Sequence, residues 1–181
     1  MKVRRLRRSD IDGVLALFES VVAERIYLAT EPGFDRERYR RRWEATIGSK
    51  TESCFVAVDA KGVAGELSIY DNQRFGPSLG MMVAAPYRGR GIGRKLVESA
   101  LTWARRARLE KLLLRVFPNN AAAIGLYLRA GFKIVARLER DVPRADAEAL
   151  DSILMEVMLA HRKRGKQRTT EGDSGAALPR L

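Results

Sequence analysis

Gly80-Met81-Met82-Val83-Ala84-Ala85-Pro86-Tyr87-Arg88-Gly89-Arg90-Gly91-Ile92-Gly93-Arg94-Lys95-Leu96 decides the fold. An apolar strand runs out through Met81-Met82-Val83, a glycine-rich turn follows, and a helix begins at Gly91. Glycines let the backbone approach a ligand closely, because they lack a Cβ and tolerate φ > 0. The unpaired N–H groups of a first helical turn point outward with the positive end of the helix dipole behind them, which suits a phosphate. Arg88, Arg90 and Arg94 add positive charge nearby. The dinucleotide fingerprint G-x-G-x-x-G fails, since the sixth position from Gly89 is Arg94, and no G-x-x-x-x-G-K-[S/T] loop is present. What fits is R-x-x-G-x-G, at Arg88, Gly91 and Gly93. A merely tight strand-to-helix turn would produce the same short pattern, so its neighbours have to discriminate.

Upstream, Val3-Arg4-Arg5-Leu6-Arg7 alternates like an edge strand. Ser9, with Asp12 three residues on, reads as the cap of a helix whose apolar stripe is Ile11, Val14, Leu15, Phe18, Val21 and Val22. Asp35 reads as the N-cap of a second helix carrying Tyr39, Trp43 and Ile47, with Gly48 ending it. Strands at Cys54–Val58 and Val63–Tyr70 flank the hairpin turn Asp59-Ala60-Lys61-Gly62, and Ser78–Ala84 is a third. Downstream, the helix from Gly91 reaches about Arg108 with Leu96, Val97, Ala100, Leu101 and Ala104 inward. Lys111–Phe117 is a leucine-dense strand of the kind covered on both faces. A helix over Asn120–Ala130 closes on Gly131, and Phe132–Leu138 and Ser152–Leu159 form a final antiparallel pair. The order β-α-α-β-β-β-α-β-α-β-β predicts an α/β (α+β) domain over residues 1–160, a mixed sheet with helices on both faces.

The second discriminating stretch is Asn119-Asn120-Ala121-Ala122-Ala123-Ile124-Gly125-Leu126-Tyr127-Leu128-Arg129-Ala130-Gly131-Phe132. It matches N-x-x-A-x-x-L-Y-x-x-x-G-F at Asn120, Ala123, Leu126, Tyr127, Gly131 and Phe132. With R-x-x-G-x-G before it, each motif on the right element, the sequence resembles the GNAT superfamily of N-acetyltransferases across roughly residues 2–160. The resemblance implies acetyl-CoA as co-substrate and an amine as acceptor. It implies that the strand before the turn splays from its parallel neighbour. Backbone groups of Met82, Val83 and Ala84 would then hold the pantetheine arm. The N–H groups of Arg88, Gly89, Arg90, Gly91, Ile92, Gly93 and Arg94 would hold the pyrophosphate. Asn120 would contact the pantetheine region, and Tyr127 would stand near the thioester sulfur.

The implied chemistry needs three groups. A backbone N–H near Val83 would stabilise the oxyanion formed when an amine attacks the thioester carbonyl. Tyr127 would protonate the departing thiolate. The incoming ammonium must first lose a proton, its pKa lying near ~10. Many members of the family carry a glutamate on the strand before the turn, but Ser78–Ala84 holds no acid. Glu66 on the preceding strand is the nearest candidate base, with Glu31 in Thr30-Glu31-Pro32 the second; a solvated strand carboxylate is the competing reading of Glu66. Tyr39, Trp43 and Tyr70 are read either as core or as lining of an acceptor pocket.

Composition narrows the remaining classes. The chain has 181 residues and a formal charge of +12. Residues 1–8 and 161–168 each carry five Lys/Arg and no acid, so removing those ten charges leaves +2 for the rest. Charge confined to two ends argues against a nucleic-acid partner and for solvated ends. Residues 161–181 lack an apolar stripe and are expected to be a disordered tail. One cysteine, Cys54, excludes an internal disulfide, and with a single histidine, His161, it argues against a metal site. No apolar run reaches the ~18 residues of a membrane span, and Asp10 and Asp12 interrupt any secretory leader, so a cytoplasmic location is expected. A homodimer is compatible with the sequence. A catalytically silent acyl-CoA sensor or an RNA-associated module on the same fold is the alternative to an enzyme; Tyr127 and Asn120 favour the enzyme.

Overall fold

The computed structural model describes residues 1–159, so the tail at 161–181, with His161, lies outside the described residues. The elements follow the predicted order: β1 (Lys2–Arg5), α1 (Ile11–Ala23), α2 (Arg36–Thr46), β2 (Ser53–Asp59), β3 (Gly62–Asn72) and β4 (Gly76–Val83). Then come α3 (Ile92–Arg106), β5 (Lys111–Val116), α4 (Ala121–Arg129), β6 (Lys133–Val142) and β7 (Leu150–Met158). The strands form one seven-stranded sheet in the order β1-β2-β3-β4-β5-β7-β6. Every neighbouring pair is antiparallel except β4 and β5.

Side chains alternate faces along a strand, and this sorts the core into two layers. Phe55 and Ala57 of β2, with Leu67 and Ile69 of β3, pack under Leu96, Val97, Ala100, Leu101 and Ala104 of α3. Cys54 and Val56 point the other way, into the layer built by Ile11, Val14, Leu15, Phe18, Val21 and Val22 of α1 with Trp43 of α2. Glu66 and Ser68 of β3 share the α1/α2 face, since they stand opposite Val56 and Cys54. A polar pair therefore sits on a strand whose other face is apolar at Gly65, Leu67 and Ile69.

Helix ends follow local chemistry. Asp35 Oδ1 accepts the Arg38 N–H at 2.9 Å, and Asn120 Oδ1 accepts that of Ala123 at 3.1 Å. Gly131, at φ +94°, closes α4 as predicted. The Ser9–Asp12 cap does not form. Arg8–Asp10 is instead a 3-10 turn, in which the Asp10 carboxylate accepts the Arg7 N–H at 2.8 Å and grips Arg4 at 2.6 and 2.9 Å. The carboxylate that captures a cation from β1 takes the capping role, and the Arg4 hydrogen bond holds the Asp10 pKa below the usual range. Asp12 turns to Arg40 of α2. Among the described residues no helix is long and apolar enough to cross a membrane.

Candidate active site

β4 and β5 meet at a single register position, Ser78 against Leu113. Beyond it they part, while β4 stays laddered to β3 as far as Val83. The other edge of β4, from Leu79 to Val83, thus lacks a strand partner, and a cleft of about 990 Å³ opens beside it. Backbone groups alternate sides along an antiparallel strand. The Ala84 N–H bonds the Ala64 carbonyl at 2.9 Å, so Val83 turns its own N–H and C=O away from β3; the N–H faces the gap, and the C=O accepts from Arg88 Nε at 2.9 Å. Of the three residues expected to offer backbone contacts, Val83 alone turns its N–H to the cleft side. Ala84 is fully engaged, its carbonyl accepting the Tyr87 N–H at 2.8 Å, and Met82 faces β3 opposite Glu66.

The glycine turn forms the upper wall. Gly89 and Gly91 have φ of +74° and +76°, a region that glycine enters without penalty. Gly91 is the N-cap of α3, and Lys95 is the first residue whose N–H reaches an intrahelical carbonyl, that of Gly91 at 3.3 Å. Among the described residues the N–H groups of Ile92, Gly93 and Arg94 have no partner, and the helix dipole lies behind them. Arg88 departs from expectation, since its N–H is taken by the Ala85 carbonyl at 3.3 Å. Gly93 serves packing: a Cβ there would lie 3.0 Å from Leu126 Cδ1 and 3.3 Å from Met81 Cε. Gly91→Val is expected to weaken acetyl-CoA binding at least ~10-fold by calorimetry, because a β-branched residue at this φ must distort the N-cap. Unchanged affinity in a folded variant would place the phosphate elsewhere.

Tyr127 of α4 is 5% exposed and lines the cleft, its ring 5.6 Å from that of Phe132. Its hydroxyl has no hydrogen-bond partner among the described residues. Burial, with Tyr70 nearby, pushes its pKa well above the tyrosine range, so it holds its proton at neutral pH. Asn120 also lines the cleft, but its Oδ1 is committed to the α4 cap, leaving only Nδ2 for a ligand.

Across the cleft, on the α1/α2 face, lies Glu66. It is 4% exposed, so it is not a solvated strand carboxylate. Oε1 accepts from Trp43 Nε1 at 3.1 Å, from Cys54 Sγ at 3.2 Å and from the Ser68 hydroxyl. Oε2 has no protein partner among the described residues, and Glu66 lines the cleft. Burial raises its pKa, opposed by those hydrogen bonds. The Cys54 thiol, buried beside this carboxylate, is pushed far up and is no nucleophile.

The chain that builds this cleft is similar to known proteins. The acetyltransferase (GNAT) family model covers residues 19–132. The chain belongs to that family. Among its relatives is an L-methionine sulfoximine/L-methionine sulfone acetyltransferase of Pseudomonas aeruginosa, 29% identical over 136 residues, 72% of this chain and 78% of the relative. A GCN5-related N-acetyltransferase from Kribbella flavida superposes with a TM-score of 0.75 at 28% identity, covering 87% of this chain and 97% of that one. The same fold recurs in a Salmonella typhimurium structure with its cofactor acetyl-CoA (TM-score 0.79, 20% identity, 92% and 98% covered). The activity is acetyl transfer from acetyl-CoA to an amine.

The rest of the acetyltransferase's cleft was not legible in its motifs. Glu31, the second candidate base, is tied up: it accepts the Ala145 N–H at 3.1 Å and lies 3.4 Å from Arg25 and 3.7 Å from Arg144. Tyr39 and Trp43 both pack and line: their rings stack with Phe18 at 4.5 and 5.4 Å, yet both border the cleft. Tyr70 borders it too, with the Arg42 guanidinium 4.3 Å above its ring. Arg42 and the Trp43 indole N–H were missed because the groups they meet come from another element, whereas Ser68 meets Glu66 on its own strand. A period-2 reading of β3 could have flagged Ser68, two residues from Glu66 and on the same face.

Proposed function

We propose that this acetyltransferase acetylates a small amine that also carries a carboxylate, such as an amino acid, with Glu66 as proton acceptor and Tyr127 as hydrogen-bonding acid. The observation that carries this reading is the pairing of opposite charges on the acceptor side of the cleft. Glu66 offers Oε2 towards a cationic ammonium, and Arg42, over Tyr70, has no carboxylate partner among the described residues. An amino acid carries both complements on neighbouring atoms. A guanidinium binds a carboxylate bidentately, which orients as well as attracts it. The Pseudomonas aeruginosa relative, named for two α-amino acids, supports the same class.

Acetyl-CoA supplies the thioester. The protein's part is to orient the amine, take its proton and meet developing charge. Glu66 lies on β3 opposite Met82, one strand from where the resemblance expects an acid. Cross-strand neighbours on one face have Cβ atoms ~5 Å apart, so a glutamate here serves the same side of the cleft. The Val83 N–H points into the gap where an oxyanion would form.

The test is a matched pair of acceptors, methionine sulfone and its decarboxylated amine, assayed by CoA thiol release. Arg42→Ala is expected to raise KM for the amino acid roughly 10-fold or more, the worth of a charge-assisted pair, and to leave the decarboxylated amine nearly unaffected. Equal effects on both would remove the carboxylate assignment.

A further inference from the structure

Arg88 opens the R-x-x-G-x-G pattern, where a cation beside the glycine turn reads as a phosphate partner. The side chain goes elsewhere. Its Nη1 and Nη2 fork onto the two carboxylate oxygens of Glu24 at 2.8 and 2.6 Å. Its Nε donates to the Val83 carbonyl at 2.9 Å. Its guanidinium carbon stands 4.6 Å from the centre of the Tyr27 ring. Three of the guanidinium's five N–H donors and one face of the cation are therefore occupied, and Glu24 raises the Arg88 pKa, so the charge persists.

The partners come from two sides of the cleft. Val83 ends β4, the strand whose free edge faces the cofactor gap. Glu24 is the residue after α1 and begins the segment through Glu31, of which Tyr27, Leu28, Ala29 and Thr30 line the cleft. Arg25 stands at φ +55°, a region unfavourable for a side-chain-bearing residue, so this segment leaves the helix in a conformation that its surroundings must hold. The segment has further ties of its own, from Arg25 to Asp146 at 2.6 Å and from Arg144 to the Leu28 carbonyl at 3.1 Å.

We infer that Arg88 is a positioning residue: it clamps the Glu24–Thr30 segment onto the end of β4 and so sets the acceptor wall of the cleft against the cofactor strand. It is not a side-chain ligand of the phosphates. The inference rests on the reading of the cleft as a joint cofactor and acceptor site, and on no particular acceptor. A bidentate Arg–carboxylate pair with a third hydrogen bond is rigid and directional, which distinguishes it from an exposed ion pair.

The test uses Arg88→Gln, Glu24→Gln and the double variant, none of which alters the turn's backbone amides. Acetyl-CoA affinity is measured by calorimetry, and KM and kcat with the best acceptor found for the wild type. Each single change is expected to raise the acceptor KM roughly 10-fold, as for lost hydrogen bonds to a charged group. The double variant should be no worse than either single, since one interaction is removed, and acetyl-CoA affinity should stay within about 2-fold. Amide exchange of residues 24–30 should accelerate in all three, a readout independent of turnover, so it stands even if the acceptor class is wrong. A weakening of acetyl-CoA binding of ~10-fold or more in Arg88→Gln, with Glu24→Gln silent, would make Arg88 a phosphate ligand and overturn the inference. So would unchanged exchange and unchanged KM in both single variants.

Discussion

Replacing Tyr127 by Phe is expected to lower kcat about 10²-fold, the lower end of the worth of general acid help. Two observations set direction and size. Tyr127 is buried in the cleft wall and its hydroxyl has no hydrogen-bond partner among the described residues, which leaves it able to donate to a departing thiolate. Burial raises its pKa, and a phenol this reluctant to ionise contributes mainly by donating a hydrogen bond as the sulfur becomes charged. The Phe ring keeps the contact with Phe132, and no hydrogen bond is lost, so thermal stability should hold or rise. Acetyl-CoA affinity should barely change, because the gain appears only in the transition state. A variant with near-normal kcat on a slow-chemistry acceptor would reduce Tyr127 to packing and leave the glycine turn's role intact.

Glu66→Gln is expected to lower kcat/KM by roughly 10²–10³, with a loss of the acid limb of its pH profile. That limb should lie above the ordinary glutamate range, because burial favours the neutral form. The sign also fixes a stability test. A carboxyl whose folded pKa is raised binds its proton more tightly in the folded state, so its ionisation removes stability as pH rises through and above the unfolded value. Glutamine does not titrate, and its amide oxygen can still accept from Trp43 Nε1 and Ser68. The melting temperature of Glu66→Gln relative to wild type should therefore increase between about pH 4 and 7. A pH profile unchanged in the variant would exclude Glu66 as the base, and a flat stability difference would exclude its raised pKa.

How much of this was legible in the chain differs from element to element. The α1 and α3 stripes, the Asp35 cap and the Gly131 stop were readable because helix periodicity and capping act over four residues or fewer. The Ser9 cap failed because Asp10 is held by Arg4, a residue on β1 that only the folded sheet brings alongside. Gly91 was read correctly as a backbone requirement. Gly93 looked the same in the sequence, but its reason is the approach of Leu126 and Met81.

The sequence by itself determined the family, the element order, the glycine turn at the helix start and the helix that carries Tyr127, since each is a local pattern of residue types at fixed spacing. Only the tertiary structure decided what the charged residues do. Glu66 and Glu31 are alike as loose carboxylates in the chain; one is buried among an indole, a thiol and a hydroxyl from three elements, and the other is consumed by Arg25, Arg144 and Ala145. Arg88 and Arg42 are alike as cations; one is forked onto Glu24, 64 positions away, and the other stands over Tyr70 at the cleft with no salt bridge among the described residues. The reason is range: capping and periodicity are set by neighbours in sequence, whereas burial and charge pairing depend on which distant residues the sheet registers place within a few ångströms.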